Sequence, residues 1–253
     1  MYTYVNIISM NKRKTGLLPI GEAANYLGVA RTTLRRWNKA GKLEATYVSP
    51  GKRLYYSTGD LEKKTKGLVK SAFDWASAKE PFAPPVDWFC PTSDVFRARL
   101  ERLYYELISR PGQRERASLI TSAVGEIGNN SYDHNLGNWP DILGALFAYD
   151  LGKHVIVLSD RGVGVLATLR KIKPELSTHE EALKVAFTEI ITGRSPEHRG
   201  NGLKYVRQAL ELSRAQLVFQ SGNACLRILK NETELEVTAT DTPTRGCFAI
   251  IHF

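Results

Sequence analysis

Three polar residues lie on one face of a helix that the apolar spacing predicts over residues 114–134. Glu126, Asn130 and Asp133 stand at positions i, i+4 and i+7, which share one side of an α-helix. A carboxylate there can orient a water molecule for attack on a phosphate, and a carboxamide oxygen can bind Mg²⁺. An exposed polar helix face has the same pattern, so these residues alone leave both interpretations open.

A second group follows an apolar strand predicted at residues 154–158. Asp160 comes directly after that strand, and Gly162 and Gly164 follow it in a DxGxG pattern. A carboxylate at a strand end can accept a hydrogen bond from an exocyclic amine, and glycines allow a ligand to approach the backbone closely. A plain tight turn is the alternative explanation of this pattern.

A third group opens a helix predicted near residues 203–212. It consists of Arg199, Gly200, Asn201, Gly202, Leu203 and Lys204. Glycines at a helix N-terminus expose N–H groups and the positive end of the helix dipole to phosphates, and the two basic side chains add charge. An ordinary helix cap with incidental basic neighbours remains the alternative.

Two short helices around Gly28 stand near the start of the chain. Leu34 and Trp37 are three residues apart in the second helix, so they can face a core. A basic hairpin with a turn at Pro50-Gly51 follows. Side chains of these two elements that can contact DNA are Arg31, Thr32, Thr33, Arg35, Arg36, Lys52, Arg53 and Tyr55.

The charge of the chain is concentrated at this end. The net charge is +9; residues 1–70 hold 14 basic and four acidic side chains, and the other 183 residues hold 21 and 22. A compact basic unit on a neutral body is what binding to a phosphate backbone requires. No window approaches 18 consecutive apolar residues, so we expect a cytoplasmic protein without a membrane span.

The remaining elements indicate three segments. Residues 1–66 form the head, residues 67–92 are rich in proline and aromatic residues and are interpreted as a linker, and residues 93–253 mix helices and strands. The last segment should hold helices near 93–110 and 114–134, and strands at 143–149, 154–159, 216–220, 225–229, 234–239 and 247–252, with a turn at Gly222-Asn223. We therefore expect an α+β protein, in which a small head is joined to a two-layer α/β sandwich.

The head resembles the winged helix-turn-helix of the MerR/excisionase class. The matching residues include Ile20-Gly21-Glu22-Ala23-Ala24, Leu27-Gly28-Val29, Thr33-Leu34-Arg35-Arg36-Trp37 and Arg53-Leu54-Tyr55-Tyr56. The resemblance implies DNA binding by the second helix and by the hairpin as a wing. Heads of this class usually act on paired half-sites, so we expect a homodimer.

The order and spacing of the three polar groups resemble the Bergerat ATP-binding fold of gyrase, histidine kinases, mismatch-repair ATPases and anti-sigma serine kinases. The resemblance covers residues 93–253. It implies that Glu126 is the catalytic base, that Asn130 is the Mg²⁺ ligand and that Asp160 anchors the adenine. It also implies that residues 165–199 form a lid over ATP and that Thr244-Arg245-Gly246-Cys247 forms the last glycine turn.

These features predict a transcriptional regulator that binds DNA in response to ATP and has possible slow ATPase activity. We do not expect an autophosphorylating sensor kinase, because no helix with a phosphoacceptor histidine is predicted before the ATP unit, and we do not expect the transducer domain of gyrase-like enzymes. An anti-sigma-like serine/threonine kinase acting on a protein partner is the first alternative. An accessory protein of a mobile element or a defence system is the second.

Overall fold

The computed structural model describes residues 16–27, 31–189, 202–229 and 235–253. The chain forms two compact units, Met1–Lys66 and Gly67–Phe253. The division falls within one helix, Thr58–Ser77, which is the third helix along the chain. No helix of the described residues is both long and apolar enough to span a membrane.

The first unit combines short helices with a small antiparallel sheet. Its elements are β1 (Leu17–Pro19), α1 (Ile20–Tyr26), α2 (Arg31–Lys39), β2 (Tyr47–Val48), β3 (Leu54–Ser57) and the start of α3 (Thr58–Ser77). The strand order is β1-β3-β2. Leu34 and Trp37 are buried, as their spacing predicts, and Ala23, Ala24 and Leu27 of the first helical segment are buried with them.

The first strand of the hairpin is only two residues long, Tyr47–Val48. The amides of Lys42 and Leu43 donate to the carbonyl of Trp37 at the end of α2, and the amide of Ala45 donates to Asn38 Oδ1 at 2.6 Å. These amides are therefore used by the helix end, and pairing between strands begins only at Tyr47.

The second unit is a five-stranded antiparallel sheet with helices. Its elements after α3 are β4 (Phe89–Cys90), α4 (Ser93–Ile108), α5 (Arg114–Asn135), β5 (Ala145–Asp150), β6 (Val155–Asp160), α6 (Gly164–Leu169), α7 (His179–Thr188), α8 (Gly202–Ser213), β7 (Gln216–Ile228) and β8 (Glu236–His252). The strand order is β4-β5-β6-β8-β7.

One face of this sheet carries the main apolar core. Ile120, Val124 and Ile127 of α5 are buried at positions i, i+4 and i+7 and join Leu103 of α4 and Leu210 of α8 in that core. The side chain of Thr92 accepts a hydrogen bond from the Val95 amide and so begins α4. Because the apolar face of α5 is buried in this core, the polar face of the same helix, which carries Glu126 and Asn130, lies outside it.

The opposite face of the sheet is buried as well, which differs from the predicted two-layer sandwich. Phe248 points to this face because its neighbour Ala249 belongs to the main core and side chains alternate along a strand. The Phe73 ring of α3 packs edge-on against Phe248, with ring centroids 5.3 Å apart. The end of α3 therefore forms a third layer at this point.

The predicted linker also differs from the structure in its first part. Residues 67–77 are helical and lie in the second unit. Within the predicted linker, the first proline is Pro81. Before it, residues at helical spacing are buried, namely Leu68, Ala72, Trp75 and Ala76. The Trp75 indole donates to the carbonyl of Phe82 at 3.1 Å, so the segment after the helix folds back on it.

A turn predicted at Gly222-Asn223 is wrong. Strand β7 continues through these residues and pairs with β8 from Gln216 to Arg227, with irregular pairing at Gly222. Gly222 has φ +59°, a conformation that glycine adopts without strain, so it permits a bulge instead of a reversal.

Candidate functional site

Asp160, the last residue of β6, is buried and hydrogen-bonded to other parts of its own chain. Its Oδ1 atom accepts hydrogen bonds from the amides of Gly162 at 2.8 Å and Cys247 at 3.3 Å. Its Oδ2 atom accepts a hydrogen bond from Ser131 Oγ at 2.8 Å. Since Ser131 belongs to α5 and Cys247 to β8, the carboxylate joins three separate segments.

Burial raises the pKa of the Asp160 carboxyl above its ordinary value of 3.8, and the three hydrogen bonds oppose that rise without cancelling it. A desolvated carboxylate strengthens its remaining interactions, because the local dielectric constant is low. An amine donor that reached Oδ2 would therefore be bound more strongly than by an exposed carboxylate.

The glycine loop after Asp160 is attached to α5 through Asn135. Asn135 Oδ1 accepts a hydrogen bond from the Val163 amide at 2.8 Å, and its Nδ2 donates to the carbonyl of Ser131 at 2.7 Å. A methyl group on Gly162 would lie 2.1 Å from Asn135 Nδ2. The loop can approach α5 only because residue 162 has no side chain.

A second close approach comes from β8. A methyl group on Gly246 would lie 2.0 Å from Asp160 Oδ1 and 2.5 Å from the amide nitrogen of Gly162. Gly164 has φ +78°, and the next amide, that of Val165, donates to Ser221 Oγ at 2.9 Å. Gly162 and Gly246 thus bring backbone rather than side chains against the carboxylate.

The polar face of α5 meets the first turn of α8. A methyl group on Gly202 would lie 2.9 Å from Glu126 Oε2 and 3.4 Å from Asn130 Nδ2. Both side chains are half-buried. The neighbouring Asn129 has a buried Oδ1 with no hydrogen-bond partner among the described residues. The Glu126 carboxylate, the Asn130 carboxamide and the first turn of α8 therefore lie together.

Other residues predicted for this site are placed differently. Asp133 is exposed, one turn beyond Asn130. Leu203 packs against the main core, and Lys204 is half-buried in the first turn of α8. Arg199, Gly200 and Asn201 lie outside the described residues.

Ser131 and Asn135 were not singled out by the sequence reasoning, although they make the contacts that position Asp160 and its loop. Their i, i+4 spacing on α5 is the signal that could have identified them. Arg161 was missed too. Its side chain is fully buried, which no local pattern in a glycine-rich turn indicates.

The first unit presents basic side chains on α2 and on the hairpin. Exposed residues among those predicted to contact DNA are Arg31, Thr32, Arg35, Arg36, Lys52 and Arg53. Thr33 and Tyr55 are half-buried, and the Tyr55 ring packs against Tyr47 with centroids 5.8 Å apart. The predicted basic surface is therefore available to a ligand.

Hydrogen bonds hold the hairpin against the start of α3. Asp60 Oδ2 accepts from Thr46 Oγ1 at 3.0 Å and from Ser57 Oγ at 2.7 Å, and Thr46 Oγ1 accepts from the Ser57 amide at 2.7 Å. The Lys52 backbone has φ +58° in the hairpin turn. These hydrogen bonds thus fix the strands from which the basic turn of the hairpin projects.

Comparison with known families identifies the first unit. Residues 17–63 match a family model described as a helix-turn-helix domain, so the chain carries such a domain. This match, together with the exposed basic α2, indicates DNA as a partner. A search of the curated proteins found no match for the chain.

Proposed function

We propose that this chain is an ATP-binding protein whose binding to DNA responds to the nucleotide, and that it acts as a transcriptional regulator. The observation that carries the proposal is the meeting of three distant segments at one place. The end of β6 is bonded to α5 through Asp160 and Ser131, and the start of α8 lies against Glu126 and Asn130 on the same helix.

The adenine end of the proposed pocket is the Asp160 carboxylate. Oδ2 accepts one hydrogen bond from Ser131 and retains a lone pair for the exocyclic amine of adenine. Gly162, Gly164 and Gly246 leave the backbone around it free of side chains, as a flat base requires.

The phosphate end is the N-terminus of α8, which is twelve residues long. Its first amides and the positive end of its dipole suit an anion, and Lys204 can add charge there. Asn130 would supply a carboxamide oxygen for Mg²⁺. No cluster of three or more His, Cys, Asp or Glu side chains suited to a metal occurs in the described part of the chain, so the phosphates would complete the coordination.

Glu126 is the candidate general base. Its Oε2 lies beside the first turn of α8, within reach of a water molecule placed at a phosphate bound there. Its carboxylate would accept the proton of that water as the water oxygen attacks the γ-phosphorus and the bond to the leaving ADP breaks, which gives a slow ATPase. Arg31, Arg35 and Arg36 of the head would contact DNA, and two copies would bind paired half-sites.

Titration calorimetry with Mg²⁺ and a non-hydrolysable ATP analogue tests the nucleotide site. Wild type should bind saturably, and Asp160→Ala should lose more than about tenfold in affinity, as removal of a hydrogen bond to a charged group does. Asp241→Ala, which removes an exposed carboxylate from β8, is the matched control and should bind like wild type. Absence of binding by wild type would refute the ATP site.

Fluorescence anisotropy with labelled duplex DNA tests the response. Affinity should differ among the free protein, the complex with the ATP analogue and the complex with ADP by about fivefold or more, the lower end of typical coupling between two sites. Equal affinities in all three states would leave a DNA-binding protein and an ATP site without a link between them.

A further inference from the structure

Arg161 is fully buried although it follows Asp160 directly in the glycine loop. Its Nη2 and Nε atoms donate to the Asp141 carboxylate at 2.7 and 3.0 Å. Its Nη1 atom donates to the backbone carbonyls of Trp75 and Ala78. A buried guanidinium requires such complete pairing, because an unpaired charge without water is strongly unfavourable.

Trp75 lies in the last turn of α3, and Ala78 directly follows the last residue of that helix. A helix leaves its last carbonyls without partners inside the helix, and its C-terminus carries partial negative charge. The last turn of α3 holds no basic side chain of its own. Arg161, which is 86 positions from Trp75 in the chain, supplies the positive charge and the hydrogen-bond donors that this helix end requires.

Asp141 fixes the other side of the guanidinium. Although partial burial opposes it, hydrogen bonding from Arg161 lowers the pKa of the Asp141 carboxyl. Arg245 lies 3.6 Å from the same carboxylate and donates to the carbonyl of Lys79, just after α3. The end of α3 and the residues just after it are therefore bonded to both the loop after β6 and Arg245 of β8.

Asp160 and Arg161 thus belong to one backbone segment but face different elements. Asp160 is bonded to Ser131 of α5, and Arg161 to the end of α3. If this segment is displaced, Arg161 cannot lose its hydrogen bonds inside the protein without a large cost in free energy. The carbonyl groups bonded to Arg161 should therefore move with the segment. The loop after β6 is therefore hydrogen-bonded to the end of α3.

We propose that Arg161 is a positioning residue that transmits occupancy of the nucleotide pocket to the C-terminal end of α3. The proposal rests on the proposed function, since it requires a ligand at Asp160. A bound base draws Asp160 and its loop into one arrangement, and Arg161 then holds the Trp75 and Ala78 carbonyls in a single position. Helix α3 begins at Thr58, in the first unit, so its end lies on the covalent path to the head.

Hydrogen exchange measured by mass spectrometry on the full chain tests this role. Addition of Mg²⁺ and the ATP analogue to wild type should slow exchange of the amides at 75–79 by about fivefold or more. Arg161→Lys keeps the charge but loses the planar fork that reaches three partners. This variant should bind the analogue within about threefold of wild type, by calorimetry, yet lose the change in exchange.

Two further variants make the result specific. Asp141→Asn weakens the ion pair with the Arg161 guanidinium, on the side opposite to the carbonyl groups. It should reduce the same change in exchange, so the proposal can be tested even if Arg161→Lys does not fold. Arg110→Lys is the matched control, because Arg110 also donates to a backbone carbonyl, that of Leu151 at 2.9 Å. It should retain the full nucleotide effect.

The outcomes separate the coupling from the nucleotide site itself. Binding by wild type without a change at 75–79, or with the same change in both Arg161→Lys and Asp141→Asn, would overturn the coupling and leave the ATP site standing. Failure of wild type to bind the analogue would overturn both.

Discussion

The first residue of α8, Gly202, lies directly against the carboxylate of Glu126, although 76 positions separate the two along the chain. A methyl group on Gly202 would stand 2.9 Å from Glu126 Oε2, closer than carbon and oxygen normally approach. The helix N-terminus and the polar face of α5 therefore meet without a side chain between them. Phosphate oxygens bound at the helix end would lie beside the candidate base.

Gly202→Ala should weaken nucleotide binding by about tenfold, because the new methyl group displaces Glu126 and narrows the approach to the first amides of α8. Titration calorimetry with the ATP analogue measures this. The fold should tolerate the change, since the contacted atom is the end of a flexible side chain. Gly59→Ala, at the first turn of α3 with only Ser57 Oγ at 3.9 Å, is the matched control and should bind normally. Equal affinity for both variants would argue against phosphate binding at α8.

Asp160→Asn should change how stability depends on pH. The folded protein holds the Asp160 proton more tightly than the unfolded chain, because burial raises the pKa of this carboxyl above 3.8. Folded wild type therefore binds more protons between the two pKa values, and its stability falls as pH rises through them, by at most about 1.4 kcal/mol per pH unit. Asparagine has the same shape and no charge, so the variant should lack this fall.

Urea unfolding at a series of pH values gives the comparison. The difference in free energy of unfolding, variant minus wild type, should grow as pH rises above 3.8 and level off above the folded pKa. Asp241→Asn, at an exposed position, should run parallel to wild type. Parallel curves for Asp160→Asn as well would show that its hydrogen bonds fully offset burial.

Arg35→Ala should weaken binding to duplex DNA of any sequence and reduce the slope of log K against log salt by about one, the effect of losing one phosphate contact. Arg35 is exposed on α2. Arg97→Ala, which removes the same charge from an exposed position on α4, should leave the slope unchanged. Identical slopes for the two variants would place the DNA surface elsewhere.

Gly128→Ala should destabilise the second unit by about 1–3 kcal/mol, the usual cost of overpacking a core. A methyl group on Gly128 would lie 2.0 Å from the Phe96 ring, which is held by Phe147 at a centroid distance of 5.2 Å. Gly67→Ala, in α3 with nothing within 4 Å, should instead stabilise by up to about 1 kcal/mol through helix propensity. Thermal unfolding of both variants measures the contrast, and the same sign for both would contradict this account of the core.

Local patterns along the chain predicted most helices of the fold. The apolar spacing of α5 and the basic second helix of the head depend on contacts between residues three or four apart, which the sequence displays directly. Prolines between 81 and 91 obscured the helical spacing of Leu68, Ala72 and Trp75, so the end of α3 was missed. A glycine bulge inside a long strand has the same local pattern as a turn, so the sequence predicts a turn at Gly222 where β7 continues.

The sequence by itself determined the residue types of the candidate site and the side of α5 on which Glu126 and Asn130 lie. Only the tertiary structure decided that Ser131 meets Asp160, 29 positions away, and that Arg161 reaches the end of α3, 86 positions away. Such contacts depend on strand pairing and layer packing between distant segments. Their strength comes from burial, which no short stretch of sequence specifies, because the atoms that exclude water from a residue belong to other parts of the chain.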